Sequence, residues 1–150
     1  LLAALLTDAQ VNVAHVGLAV PTVYMAQVAQ ALSGQPMAWG GQAVSRFAAG
    51  VDCSGFVSRC WRLSRPFSTR ELPALSISLP SWDELKTGDI LIAPGRHVLL
   101  FIRWEGAEKD RFLGSEAGPL PAWKCSEHVF SRAMLENSGY RPMRYRGMRD

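Results

Sequence analysis

The stretch GVDCSGFVSRCW, residues 50–61, places two cysteines seven positions apart on one predicted helix. Only Cys53 carries chemical neighbours: an acid precedes it, and Ser54 and Gly55 follow. A helix starting near Asp52 and running through Val57, Cys60 and Trp61 to about Leu63 puts Cys53 in the first turn. There, free N–H groups and the positive end of the macrodipole favour the thiolate, which is the reactive form. Ser54 and Gly55 leave little bulk beside the sulfur, and the Cys53 backbone N–H is placed to stabilise an oxyanion. The opposing reading is a buried, inert cysteine, and on this stretch alone the two stand level. Cys60 lies two turns further on, flanked by Arg59 and Trp61, and reads as packing.

The rest of the composition narrows the class. A chain of 150 residues, 48% hydrophobic and 19% charged, is an ordinary globular protein with room for one sizeable core. Residues 1–20 read as an N-terminal arm or linker and residues 21–150 as one domain. The net charge is +3, and much of the surplus sits in RPMRYRGMRD, where Arg141, Arg144, Arg146 and Arg149 crowd together. That run reads as a solvated tail, with affinity for an anionic surface as the alternative. No base-reading motif accompanies it, so no nucleic-acid partner is expected. Three cysteines make an odd, well-spread count that argues against a disulfide framework. Cys53 and Cys60 would lie about 10 Å apart along a helix, too far to bridge. Neither C-x-x-C nor H-x-x-x-H occurs, so no metal is expected. LLAALL at the start is too short to span a bilayer. Because the chain opens on Leu1, an upstream signal or targeting module is an expectation.

Along the chain, PTVYMAQVAQALSG predicts a helix with Pro21 in its first turn, Val23, Ala26, Val28 and Ala31 on one face, and Gly34 as its stop. QPMAWGGQ is a turn-rich loop. RPFSTRELPALSISLPSW is a long loop with a brief strand in LSIS. Two strands follow, 90–93 and 97–104, joined by a tight Pro94-Gly95 turn, then a third in RFLGSEAG. SEHVFSRAMLEN predicts a helix capped by Ser126 and stopped at Gly139. YRPMRY is expected to add an edge strand. Helices first and a strand meander second make an α+β arrangement.

A cysteine nucleophile needs a base, and three histidines are on offer. His15 lies in the N-terminal arm, and His128 falls on the predicted late helix among charged neighbours, where a surface role is the simpler reading. His97 opens a strongly apolar strand directly after a tight turn, a rigid position; its alternative is a core histidine. An imidazole base works best when a third polar group fixes its tautomer. The hairpin of 97–104 with 111–117 brings Ser115 or Glu116 beside His97, and register decides which, since a one-residue slip exchanges faces. Glu116 is preferred, because a carboxylate accepts the imidazole N–H and stabilises the imidazolium.

The ordered set MAWGG, GVDCSGFVSRCW, LKTGDILIAPGRHVLLF and GSEAG resembles the NlpC/P60 family of papain-like cysteine peptidases over about residues 21–146. The resemblance implies an α+β core with N-terminal helices carrying the nucleophile packed on an antiparallel sheet. It implies Cys53 as nucleophile, His97 as general base and Glu116 as the third member. Asp52, Ser54 and Trp39 would bind substrate, and Asp89 in TGDI would hold its turn. The implied activity is hydrolysis of an amide in peptidoglycan stem peptides, at the γ-D-glutamyl–diamino acid bond, without metal or organic cofactor. A secreted or cell-envelope bacterial monomer, not transmembrane, is the corresponding expectation. Two departures stand out: Met37 replaces a tyrosine common two residues before the tryptophan of W-G-G, and Leu99 and Leu100 replace Gly-Ile after H-V. An amidase or acyltransferase on another amide or ester, and an inactive envelope-binding module, remain the competing readings.

Overall fold

Apolar residues surround the segment Thr22–Leu32 almost completely, so its pattern alone does not select a face. The computed structural model describes residues 19–34, 53–118 and 125–149. In it Thr22–Leu32 is an α-helix, α1. The face it buries carries Met25, Ala29 and Leu32, while Val23 is 61% exposed. The expected face is thus corrected: burying the larger Met25 and Leu32 side chains removes more apolar area from water than burying Val23 and Ala31. Gly34 follows the helix with φ +89°, a stop that suits glycine.

Helix α2, Cys53–Cys60, is the predicted helix, but it ends short of the expected Leu63 because Arg62 turns to φ +58°; it buries Phe56, Val57 and Cys60. Trp61 continues its inner face: the indole N–H donates to the Gly88 carbonyl at 2.9 Å, and the ring stacks on Tyr145 with centroids 4.9 Å apart. Ser58 ties the following loop back, donating to the Ser54 carbonyl at 2.8 Å and accepting from the Phe67 N–H at 2.9 Å.

The strands are β1 (Val20–Pro21), β2 (Ser76–Ser78), β3 (Ile90–Ala93), β4 (His97–Trp104), β5 (Arg111–Ala117), β6 (Cys125–Ser131), β7 (Arg141–Tyr145) and β8 (Met148–Arg149), with a short helix α3 (Arg132–Asn137) between β6 and β7. Six of them form one antiparallel sheet in the order β2-β7-β3-β4-β5-β6, while β1 and β8 pair in parallel. One face of the sheet, with Ile90, Ile92, Val98, Leu100, Ala117 and Tyr145, packs on α1 and α2. The other, with Leu91, Leu99, Phe101 and Phe112, is covered by Leu79, Trp82 and Leu85 of the preceding loop. Leu99 and Leu100 therefore fill the two core layers, one each.

Two further expectations are corrected. SEHVFSRAMLEN is not one helix: Cys125–Ser131 is a strand paired along its whole length with β5, and the helix begins only at Arg132, capped by Ser131, whose hydroxyl accepts from the Met134 N–H at 3.3 Å. Val129 and Phe130 prefer a pleated surface, and partners on β5 override the helical look of the segment. YRPMRY is not an edge strand and its arginines are not a loose tail. β7 lies between β2 and β3, with Pro142, Met143 and Tyr145 buried. Arg144 forms a bidentate pair with buried Asp89, Nε to Oδ1 at 2.9 Å and Nη2 to Oδ2 at 2.8 Å. Asp89 Oδ2 also accepts the Lys86 N–H at 2.7 Å, so the TGDI turn is held as expected. Burial pushes the Asp89 carboxyl up, against the opposing pull of Arg144.

Candidate active site

His97 owes its position to a short, heavily braced turn. Arg96 N–H donates to the Ala93 carbonyl at 2.9 Å, closing the β3–β4 connection, and Gly95 takes φ +78° within it. The Gly95 N–H donates to Thr69 Oγ1 at 2.9 Å, which fastens the turn to the loop after α2. Arg96 donates to the Ser138 carbonyl and lies over the Tyr140 ring, 5.8 Å from its centroid. Tyr140 in turn meets the His97 ring edge-on, at 6.4 Å and 82°. The imidazole thus leaves the sheet from a rigid strand start with an aromatic wall beside it.

The choice between Ser115 and Glu116 is made by a bulge. In the β4–β5 hairpin Trp104 pairs with Phe112 and Arg103 with Leu113, but Phe101 pairs with Gly114 and Leu100 with Ser115. The extra residue, Ile102, shifts the register by one and so exchanges faces beyond it. Ser115 consequently points with Leu100 into the helix-side core, fully buried and with its hydroxyl unpaired. Glu116 lands on the face of His97. The His97 Nε2 to Glu116 Oε1 distance is 2.6 Å. An ionised carboxylate only accepts, so Nε2 carries the proton, and Nδ1 is left for the sulfur.

The Cys53 side chain completes the set, within hydrogen-bonding reach of the His97 ring. Burial by itself would lower the His97 pKa. The hydrogen bonds to Cys53 and Glu116, together with their charges, more than offset that and raise it from 6.5 to about 9. A protonated imidazole is thus stabilised between the sulfur on one side and the carboxylate on the other. The other two cysteines differ in kind. Cys60 and Cys125 are buried, and desolvation pushes the thiol of Cys60 far up and that of Cys125 to about 11. Both stay protonated and inert at neutral pH, whereas Cys53 is half-exposed.

Of the remaining expected site residues, Ser54 follows Cys53 in the first turn and is buried, 8% exposed. Asp52 and Trp39 lie outside the described residues, as do Met37 and His15. The residue that sequence reasoning passed over is His128. Placed on β6 rather than on a helix, it pairs across from Gly114, and its Nε2 lies 3.1 Å from Glu116 Oε2. The run 126–131 carries no apolar–polar alternation, so its strand is marked in the sequence only by the β-favouring Val129 and Phe130. Among the described residues no group of His, Cys, Asp and Glu side chains is arranged to hold a metal ion, and no helix is long and apolar enough to cross a membrane.

No protein-family model matches the sequence, and no curated protein matches it. Among solved structures, the fold is similar to that of a protein from Staphylococcus aureus subsp. aureus Mu50 described as similar to a lipoprotein of the NLP/P60 family. The TM-score is 0.57 at 19% identity, over 86% of this chain and 42% of that one. The chain therefore spans less than half the length of that protein. The shared property is the architecture: an α+β, papain-like NlpC/P60 fold with helices packed on an antiparallel sheet.

Proposed function

We propose that the chain is a cysteine peptidase of the NlpC/P60 type, hydrolysing an amide in peptidoglycan stem peptides at the bacterial cell envelope, with Cys53, His97 and Glu116 as its catalytic set. The observation that carries this reading is the His97 imidazole, bonded to Glu116 Oε1 at 2.6 Å and lying near enough to Cys53 for the sulfur to raise its pKa. The NLP/P60 description of the S. aureus protein supports the choice of substrate class.

The chemistry follows from the charges. The Cys53 thiolate attacks the amide carbonyl, and the resulting oxyanion is stabilised by the Cys53 backbone N–H at the start of α2. His97, as imidazolium, gives its proton to the departing amine, and the C–N bond breaks to leave a thioester on Cys53. A water then loses a proton to His97 and attacks the thioester, which releases the acid and restores the pair. Glu116 holds Nε2–H throughout, so that Nδ1 always faces the sulfur. We assign the γ-D-glutamyl–diamino acid bond as the one cut, with Asp52, Ser54 and Trp39 contacting the stem peptide.

Mass spectrometry of defined muropeptides incubated with the protein tests this. The expected products are the two fragments of the γ-D-glutamyl bond, absent with Cys53→Ala. Intact stem peptides after long incubation with a folded, thiol-reactive protein would move the reading to another amide or ester. Alkylation at mildly acidic pH separates both from a binding module: Cys53 should label well before Cys60 and Cys125.

A further inference from the structure

Glu116 is approached by imidazole nitrogens from two sides, and only one of them belongs to the proposed catalytic set. Its Oε1 accepts from His97, and its Oε2 lies 3.1 Å from His128 Nε2. The Glu116 side chain is 13% exposed, whereas that of His128 is 47% exposed. His128 has its own support. The ring packs on Phe130 with centroids 4.3 Å apart and planes 39° apart, and Phe130 stacks on Phe112 at 5.5 Å. Phe130 can lie that close to the sheet because Gly114 stands beneath it: a Cβ there would come within 2.9 Å of the ring. Thus β6 supplies a braced nitrogen to a carboxylate that β5 supplies and β4 uses.

We propose that His128 is a positioning residue of the site: by closing on Oε2 it restrains the Glu116 carboxylate so that Oε1 is presented to His97 in one orientation. The terminal carboxylate torsion of glutamate is broad and roughly two-fold, so one hydrogen bond to Oε1 does not fix the plane of the group. A polar ring 3.1 Å from the other oxygen, itself packed on Phe130, limits that rotation. The contact is a close N···O approach rather than an aligned hydrogen bond such as His97 makes to Oε1. The two rings meet different oxygens and do not compete, and the chain of contacts runs Cys53–His97–Glu116–His128. Tyr140 and Arg96 also border this cluster, through the His97 ring.

This inference rests on the thiol-hydrolase reading, and the test keeps their failures apart by reading the thiol without substrate. His128→Phe removes the polar nitrogen beside Oε2 and keeps a ring against Phe130; His128→Gln keeps a polar N–H group near the same place. The first readout is the pH profile of Cys53 alkylation by iodoacetamide, with Cys53→Ala as background. The second is the split between kcat and KM on a muropeptide. Loss of orientation in a catalytic set costs rate steeply, about a hundredfold for an ångström of misplacement. For loss of the Oε2 contact alone we expect about a tenfold fall in the alkylation rate and in kcat. KM should be unchanged, the alkaline limb near pH 9 should move to lower pH, and His128→Gln should recover most of the loss. A folded His128→Phe protein with the wild-type alkylation profile would overturn the positioning role and leave the catalytic reading intact. So would a change confined to KM, or equal losses in both variants. Wild-type Cys53 reacting no faster than a simple thiol would overturn the catalytic reading and the positioning role together.

Discussion

At the scale of single residues the site is a matter of one short hydrogen bond, a neighbouring sulfur and a proton. His97 is raised to about 9 by Cys53 and Glu116 against its own burial. The sign follows directly: a histidine whose folded pKa lies above its unfolded value binds a proton more tightly in the folded state. Its contribution to stability is full below about pH 6.5 and is lost as pH rises through about 9. In the proposed mechanism activity has the same upper limit, because the imidazolium that would protonate the leaving amine disappears there. The alkaline limb of kcat against pH is therefore expected near 9, and a steady-state pH profile measures it. Glu116→Gln removes the carboxylate charge, so this limb should move to lower pH and kcat should drop about a hundredfold, within the range of a mispositioned general acid–base. A rate and limb both unchanged in Glu116→Gln would mean that the carboxylate has no part in the reaction.

At the scale of elements, the strands do the selecting. The Ile102 bulge turns Glu116 rather than Ser115 toward His97, and β6 brings His128 to the same face. Gly114 sits at the crossing, opposite His128 and beneath Phe130. Gly114→Ala places a Cβ 2.9 Å from the Phe130 ring and 3.1 Å from Phe112, closer than packed carbon atoms tolerate. The expected outcome is a loss of about 1–3 kcal/mol from overpacking, with a fall in kcat as Phe130 and His128 shift. Urea denaturation gives the first figure, and the muropeptide assay under conditions where the variant is folded gives the second. At this scale the sequence was legible for α2, for the β3–β4 hairpin and for β5, where length, apolar runs and the Pro94-Gly95 turn agree. It was not legible for 125–131, because Ser126 and Ser131 are both acceptable caps. Only pairing with β5 chooses between them.

At the scale of the whole molecule, what places Cys53 is the docking of α2 on the sheet. Trp61 fastens the end of α2 to Gly88 and Tyr145, and the turn bearing Gly88 is fastened by Asp89 to Arg144 on β7. Arg144→Ala strands a buried carboxylate without its guanidinium, which costs about 3–5 kcal/mol. A urea midpoint shift of that size is expected, together with a slower Cys53 as α2 loosens. Replacing both partners by apolar residues should recover part of the stability, though the Lys86 N–H is still left without its acceptor. An unchanged midpoint in Arg144→Ala would show that water compensates the Asp89 carboxylate.

The sequence by itself determined which residues are chemically equipped: a cysteine at a helix start, a histidine opening a strand after a tight turn, and an acid at the end of the next strand. Those are local facts, set by caps, turns and the period of apolar residues. The tertiary structure alone decided that Glu116 and not Ser115 faces the imidazole, that a second histidine comes within 3.1 Å of the same carboxylate, and that Arg144 braces the sheet through Asp89. Each of these depends on strand register or on pairing between segments distant in the chain. One residue of slip reverses every face, and no local pattern records where a bulge absorbs it.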